Sequence, residues 1–187
     1  MSIHAMVDLE SFAGFSKQGG NYITQIGACK WNIDSGEIKS EFLVNCRPDP
    51  EKFRVDYDTI RWWFSQNQAA QKSLYDPEPI PLDIALQQFS AWFLNGSKVD
   101  GLWSHATFDV PALQGAYGTY GLRVPWNYRS AKDIRTLNWV AQDLGIVLAD
   151  LPKAKATIDH NGLADAIEQA TDVTTVRNAI REKLKGE

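Results

Sequence analysis

Asp8 and Glu10 stand two residues apart in the run Ile3 to Glu10, which is otherwise almost wholly apolar. An extended strand sends alternate side chains to opposite faces. Ile3, Ala5, Val7 and Leu9 therefore share one face, and His4, Met6, Asp8 and Glu10 the other. The two carboxylates then lie about 7 Å apart along the strand, where mutual repulsion and loss of water disfavour both charges. Two outcomes are open. The pair lies in solvent past the last buried residue, or a cation compensates it, and carboxylate oxygens are the ligands that hard divalent ions prefer. Two more acids, Asp109 at a helix start and Asp165 early in the last helix, fall where the fold tends to gather side chains. His160 precedes Asp165 by five positions, a spacing that separates the two on an ideal helix and assigns His160 to the loop before it. A histidine on a loop beside a carboxylate-bound metal can remove a proton from water.

The surrounding pattern predicts how these residues are carried. Tyr22 to Ile33 and Ile38 to Val44 read as a hairpin turning at Asp34-Ser35-Gly36-Glu37, and Arg47-Pro48-Asp49-Pro50 ends the pairing. A helix is predicted from Asp58 or Thr59, with Ile60, Trp63 and Phe64 toward the core and Trp62 to the side. Leu82 to Leu94 is an amphipathic helix with Leu82, Leu86, Phe89 and Phe93 on one stripe. Val99 to Trp103 reads as a strand reached by a crossover. Thr107 is a candidate cap for the next helix, with Asp109 in its first turn, and glycines 115, 118 and 121 loosen its end. A short strand near Trp126 to Tyr128, a helix from Lys132 to Leu144 capped by Asp133, a loop to Thr157 and a closing helical stretch from Asn161 to Lys183 complete the order. Strands followed by alternating helices and strands make an α/β sheet domain, expected to be single over residues 1–187.

The totals bound the function. At 44% hydrophobic and 22% charged residues, the chain is neither disordered nor fibrous. Its longest apolar runs are too short to span a bilayer, and no basic-then-apolar leader opens it, so a cytoplasmic location and no membrane partner are expected. In the hairpin register expected, Cys29 faces Phe42 and Cys46 faces Gln25, roughly 13 Å apart at strand rise, beyond disulfide reach. No cysteine or histidine pair has zinc spacing. Net charge is −4, which argues against binding nucleic acid by charge alone. If four carboxylates hold metal, the rest of the chain is neutral and the ions themselves supply the grip.

Asp8-x-Glu10, then Phe108-Asp109, then His160 and Asp165 resemble the signature of the DEDD 3′–5′ exonuclease superfamily in its histidine-bearing branch. Thr59-Ile60-Arg61-Trp62-Trp63, Trp126-Asn127 and Asp133-Ile134-Arg135-Thr136 are similar, more narrowly, to the phage exodeoxyribonuclease A group and the small bacterial exoribonucleases related to it. The resemblance runs from about Ile3 to about Ala170. It implies a ribonuclease H-like fold, a mixed five-stranded sheet with an antiparallel second strand and helices on both faces. It further implies a metal-dependent 3′–5′ exonuclease releasing 5′-mononucleotides from the 3′ ends of single-stranded DNA or RNA. Asp8, Glu10, Asp109 and Asp165 would hold two Mg²⁺ or Mn²⁺ ions, with His160 activating water. Leu9 and Ser11 are implied near the chain end; His105, Trp62 and Phe12, the last because it follows Ser11, are candidate substrate contacts from their positions, as are scattered basic residues such as Arg129 and Lys153. Phe15 is a weaker stacking candidate, and His4 is expected to be a buried, hydrogen-bonded histidine. Some relatives dimerise, so a homodimer is a further expectation. Two alternatives stand beside this reading: a phosphodiesterase for short oligonucleotides, and a non-catalytic nucleic-acid-binding relative. The chain departs from the phage pattern by extra residues between Asn127 and Asp133, and by Gly162 where relatives carry a bulkier small residue, which is expected to loosen the His160 loop.

Overall fold

Strand β1 (Ile3–Ser11) is buried at every position except Asp8, which is half-buried. A strand so enclosed needs a neighbour on each side, and it has them: antiparallel to β3 (Ile23–Asn32) and parallel to β7 (Gly101–Ser104). The computed structural model describes residues 2–14, 20–105, 107–155 and 160–186. The remaining elements, in chain order, are β2 (Gly20–Asn21), β4 (Ile38–Arg47), β5 (Phe53–Arg54), α1 (Tyr57–Ser65), α2 (Gln68–Ser73), β6 (Ile80–Pro81), α3 (Leu82–Leu94), α4 (Asp109–Thr119), β8 (Ala131–Asp133), α5 (Ile134–Asp143) and α6 (Gly162–Lys185). The main sheet runs β6-β4-β3-β1-β7-β8, and β2 pairs with β5 separately. The expected five-stranded mixed sheet is thus present as β4-β3-β1-β7-β8, with the two-residue β6 as a sixth strand. So short an edge pairing leaves no periodicity in the sequence.

Each face of the sheet carries its own core. The α3 stripe of Leu82, Leu86, Phe89 and Phe93, as predicted, packs with Val110, Leu113 and Tyr117 of α4 against Ala5, Val7, Leu9, Ile26 and Ala28. On the other face Ala166, Ala170 and Val173 of α6, with Ile134, cover Met6, Cys29, Trp31 and Trp103. Burying each of the larger side chains contributes about 1.5–3 kcal/mol. The second face also holds His4, whose Nδ1 accepts from the Trp103 indole N–H (2.8 Å). His4 is therefore the buried, bonded histidine that was expected.

Several local expectations are corrected. The hairpin register is one residue off: Cys29 faces Glu41 and Gln25 faces Asn45, and an irregularity between Lys30 and Trp31 shifts it by a further residue toward the turn. Both cysteines are free and buried. Helix α1 is capped by Asp56, whose carboxylate accepts from the Thr59 N–H, so it starts before Asp58. Phe64 is 78% exposed rather than in the core. Only Trp63 of α1 is buried, because the helix rests on the domain along one narrow line. Thr107 does not cap α4; its hydroxyl accepts from Arg135 (2.9 Å). The short strand falls at Ala131–Asp133, and Tyr128–Ser130 is a 3₁₀ turn. Lys132 is consequently a strand residue, while Asp133 caps α5 as predicted. No helix among the described residues is long and apolar enough to cross a membrane.

Candidate active site

β1 delivers Asp8 and Glu10 to the face that α6 covers, and α6 can approach because two glycines meet there. A Cβ on Gly27 of β3 would overlap the Gly162 backbone, and one on Gly162 would lie 3.1 Å from the Asp8 carbonyl oxygen. Gly162 thus seats the N-terminus of α6 directly on the strands, and the loosening expected from it is not what its packing describes. The seat is pinned by Gln25, a fully buried side chain. Its Oε1 accepts from the Gly162 N–H (2.7 Å), and its Nε2 donates to Asn45 Oδ1 (2.7 Å) and the Ser73 carbonyl (2.9 Å). Asn161 caps α6 and places Asp165 in its first turn, where the helix dipole favours negative charge.

Asp109 enters from the opposite direction, at the start of α4. Its Oδ1 accepts from the Leu9 N–H (3.2 Å) and its Oδ2 from the His105 N–H (3.1 Å). The donor atoms sort into two groups: Asp8 with His105 and Asp109, and Glu10 with His160 and Asp165, each within 4.8 Å of one another. His105, considered from sequence as a substrate contact, therefore lies with two of the carboxylates. His160 sits just ahead of α6 in the left-handed backbone region, φ 59°, uncommon for a residue with a side chain. Its ring lies edge-on to Trp62 (4.8 Å between centroids) and Trp63 (6.0 Å). Residues 156–159, which precede it, are outside the described residues.

The charges oppose one another. Burial, then Asp109 and Glu10, push the Asp8 carboxyl well above its usual range. Glu10 is raised to about 8 by burial, then by Asp165 and Asp109. Asp109 is raised to about 7 by burial, against the hydrogen bonds that hold it. His105 is held below its ordinary value by burial and next by the Arg135 charge, which favours the neutral imidazole that binds metals. Asp8 and Glu10, raised by burial and by the acids around them, with Asp109 raised by burial, make a donor set lacking positive charge. Hard, oxygen-preferring divalent ions fit it.

The other predicted residues are placed less uniformly. Trp62, 43% exposed, stands beside His160. Phe12 stacks on Tyr22 and meets the edge of Trp63. Ser11 spends its hydroxyl within its own loop, on the Ala13 and Tyr22 carbonyls. Leu9 points its side chain into the α3/α4 core and contributes only its backbone N–H, to Asp109. Phe15 is outside the described residues. Arg129 lies on its neighbour Tyr128. Sequence reasoning missed Gln25, Trp63 as a neighbour of His160, and Gln169, whose Nε2 donates to Asp8 Oδ1 (2.8 Å). Gln169 follows Asp165 by four positions, one helical turn, which is the signal that would have found it.

Residues 3–177 match the family model for the 3′–5′ exoribonuclease Rv2179c-like domain. A comparison with curated protein sequences gives no significant match. Among solved structures the chain is similar to the nuclease domain of 3′hExo, a DEDDh family member, bound to rAMP. There the TM-score is 0.64 at 15% identity, over 95% of this chain and 92% of that one. Cell-death related nuclease 4 gives 0.68 at 14% identity over 95% and 64%. The zinc-bound E. coli ExoI–ssDNA complex gives 0.71 at 11% identity, over 99% of this chain but 42% of that one. At these identities the likeness is one of fold, and the fold is that of the DEDDh exonucleases.

Proposed function

Since the chain belongs to the Rv2179c-like 3′–5′ exoribonuclease domain family, we propose that it removes 5′-mononucleotides stepwise from the 3′ end of single-stranded RNA, and less readily of DNA, using two Mg²⁺ or Mn²⁺ ions. The observation that carries the reading is the sorting of four carboxyls into two donor groups, each completed by a histidine. Asp8 and Asp109 would hold one ion, Glu10 and Asp165 the other. When bound, such ions supply positive charge at the phosphate and acidify water.

The chain's own residues divide the remaining work. His160 takes the proton of the attacking water at a ring nitrogen as the water's oxygen bonds to phosphorus; the 3′-oxygen of the next nucleotide leaves, and the product keeps a 5′-phosphate. Trp62 and Trp63 limit how the imidazole can turn, since both stand edge-on to it. The exposed part of Trp62 and the stacked Phe12 offer flat surfaces to the terminal bases. Arg135 and Lys153 stand near enough to draw in backbone phosphate. The single domain and the cytoplasmic setting expected from sequence fit this role.

The test is a time course on 5′-labelled RNA and DNA of equal sequence, with Mg²⁺, with Mn²⁺ and with chelator. A metal-dependent ladder shortening from the 3′ end, faster for RNA, is expected. No shortening of either strand would overturn the reading. Cleavage confined to oligomers of a few nucleotides would replace it with a short-oligonucleotide phosphodiesterase.

A further inference from the structure

We propose that Gln169 is a positioning residue for Asp8: its side-chain amide holds one carboxylate oxygen so that the other is presented to the ion Asp8 and Asp109 would share. The inference rests on the reading of these acids as metal ligands. Gln169 lies one turn along α6 from Asp165, and its Nε2 donates to Asp8 Oδ1 at 2.8 Å. The amide faces Asp8 with its NH₂ end, as the ionised, metal-holding form of the carboxylate requires, since that form only accepts hydrogen bonds. Oε1 is then turned away. It is buried and has no hydrogen-bond partner among the described residues.

That unpartnered oxygen separates two explanations of the glutamine. A buried acceptor without a donor lowers stability. Were Gln169 present only to fill the seam between α6 and β1, an apolar side chain of the same length would do so without that cost. The gain specific to the amide is its bond to Asp8. Asp8 needs such a partner more than Asp109 does. Asp109 is held by two backbone N–H groups, whereas Gln169 is the hydrogen-bond donor to Asp8 among the described side chains. A carboxylate left to swing about its χ angles between Asp109 and Glu10 would present its free oxygen in several directions, and outer partners of metal ligands fix that direction. Gln169 also lines, with His105 and Asp165, a groove of about 380 Å³ between α5 and α6, so the contact lies at the edge of the candidate site.

The experiment compares the parent chain with Gln169→Met and Gln169→Asn. Its readouts are the melting temperature without metal, the Mn²⁺ affinity by calorimetry with the metal alone, and kcat and KM on a single-stranded RNA oligonucleotide. Gln169→Met is expected to melt at or above the parent temperature, because the orphaned oxygen is gone, yet to bind Mn²⁺ at least tenfold more weakly. Its kcat falls while KM for the oligonucleotide moves little. Gln169→Asn keeps an amide but withdraws it by one methylene, and is expected to lose Mn²⁺ affinity to a similar degree. Unchanged Mn²⁺ affinity in either folded variant overturns the proposal. If Gln169→Met melts lower, Gln169→Asn decides, and parent-like Mn²⁺ binding there assigns the residue to packing. A parent chain that binds no Mn²⁺ overturns instead the metal reading on which the proposal stands.

Discussion

Asp109 serves fold and site with the same two oxygens. By accepting the backbone N–H groups of Leu9 and His105, it ties α4 to β1 while lying within reach of Asp8. The hydrogen bond Asp8 accepts comes from a side chain, Gln169, so Asp8 is the acid to remove when site and stability are to be separated. Asp8→Asn and Asp165→Asn are expected to lower the hydrolysis rate by about a thousandfold or more. Asp8→Asn should leave the metal-free melting temperature unchanged or raised, because it deletes a charge from among mutually repelling acids. Rate assays beside thermal melts check this, and parent-like hydrolysis in Asp8→Asn would end the site assignment. His160 differs in kind. His160→Ala is expected to lower kcat by about 10²–10⁴-fold, the range typical of a lost general base, with a smaller change in Mn²⁺ affinity. A larger loss of metal binding than of rate would make His160 a ligand instead.

At the scale of elements, what was legible followed local periodicity. The alternation in Ile3 to Glu10 placed Asp8 and Glu10 on one face, and the spacing of Leu82, Leu86, Phe89 and Phe93 fixed α3 correctly, because each pattern repeats over several residues. Features decided by contact between distant elements left no such trace. The sequence points to Asp58 or Thr59 as the cap of α1, but the cap is Asp56, whose N–H is tied to the Phe12 carbonyl (2.7 Å), a contact no local pattern announces. Phe64 looked like a core residue because nothing local says how narrowly α1 is covered. Gln25 and Gln169 read as ordinary polar residues, and only the crossing of α6 over β1 and β3 turns one into an anchor and the other into a partner of Asp8. That crossing is testable at its tightest point. Gly27→Ala would drive a methyl group into the Gly162 backbone, so a loss of about 3 kcal/mol or more is expected in urea denaturation, at the upper end for overpacking. Gly115→Ala, within α4 and with nothing in contact distance of the new methyl, should instead gain about 0.5–1 kcal/mol. Comparable behaviour of the two would mean that the glycine seat does not set how closely α6 approaches the sheet.

For the whole molecule, the site is a charge defect that the rest of the fold supports, and its cost depends on pH. Glu10 is raised from an ordinary value of 4.5 to about 8, and Asp8 and Asp109 are raised as well. Between the unfolded and folded values the native chain therefore binds more protons than the unfolded chain does. Stability then falls as pH rises across that interval. The metal-free protein is accordingly expected to be most stable on the acid side, near pH 5, and to lose melting temperature steadily toward pH 8. Divalent ions reverse the trend, since they bind the deprotonated carboxyls of the native state and stabilise it by mass action, by about 2.7 kcal/mol at a concentration one hundred times the dissociation constant. Melting curves from pH 5 to 8, with chelator and with excess Mn²⁺, check both halves. The gain on adding Mn²⁺ should grow with pH, because protons and metal compete for the same oxygens. Stability that rose from pH 5 to 8 in chelator would mean that the carboxyls do not repel one another in the native state, and that their grouping does not call for a cation.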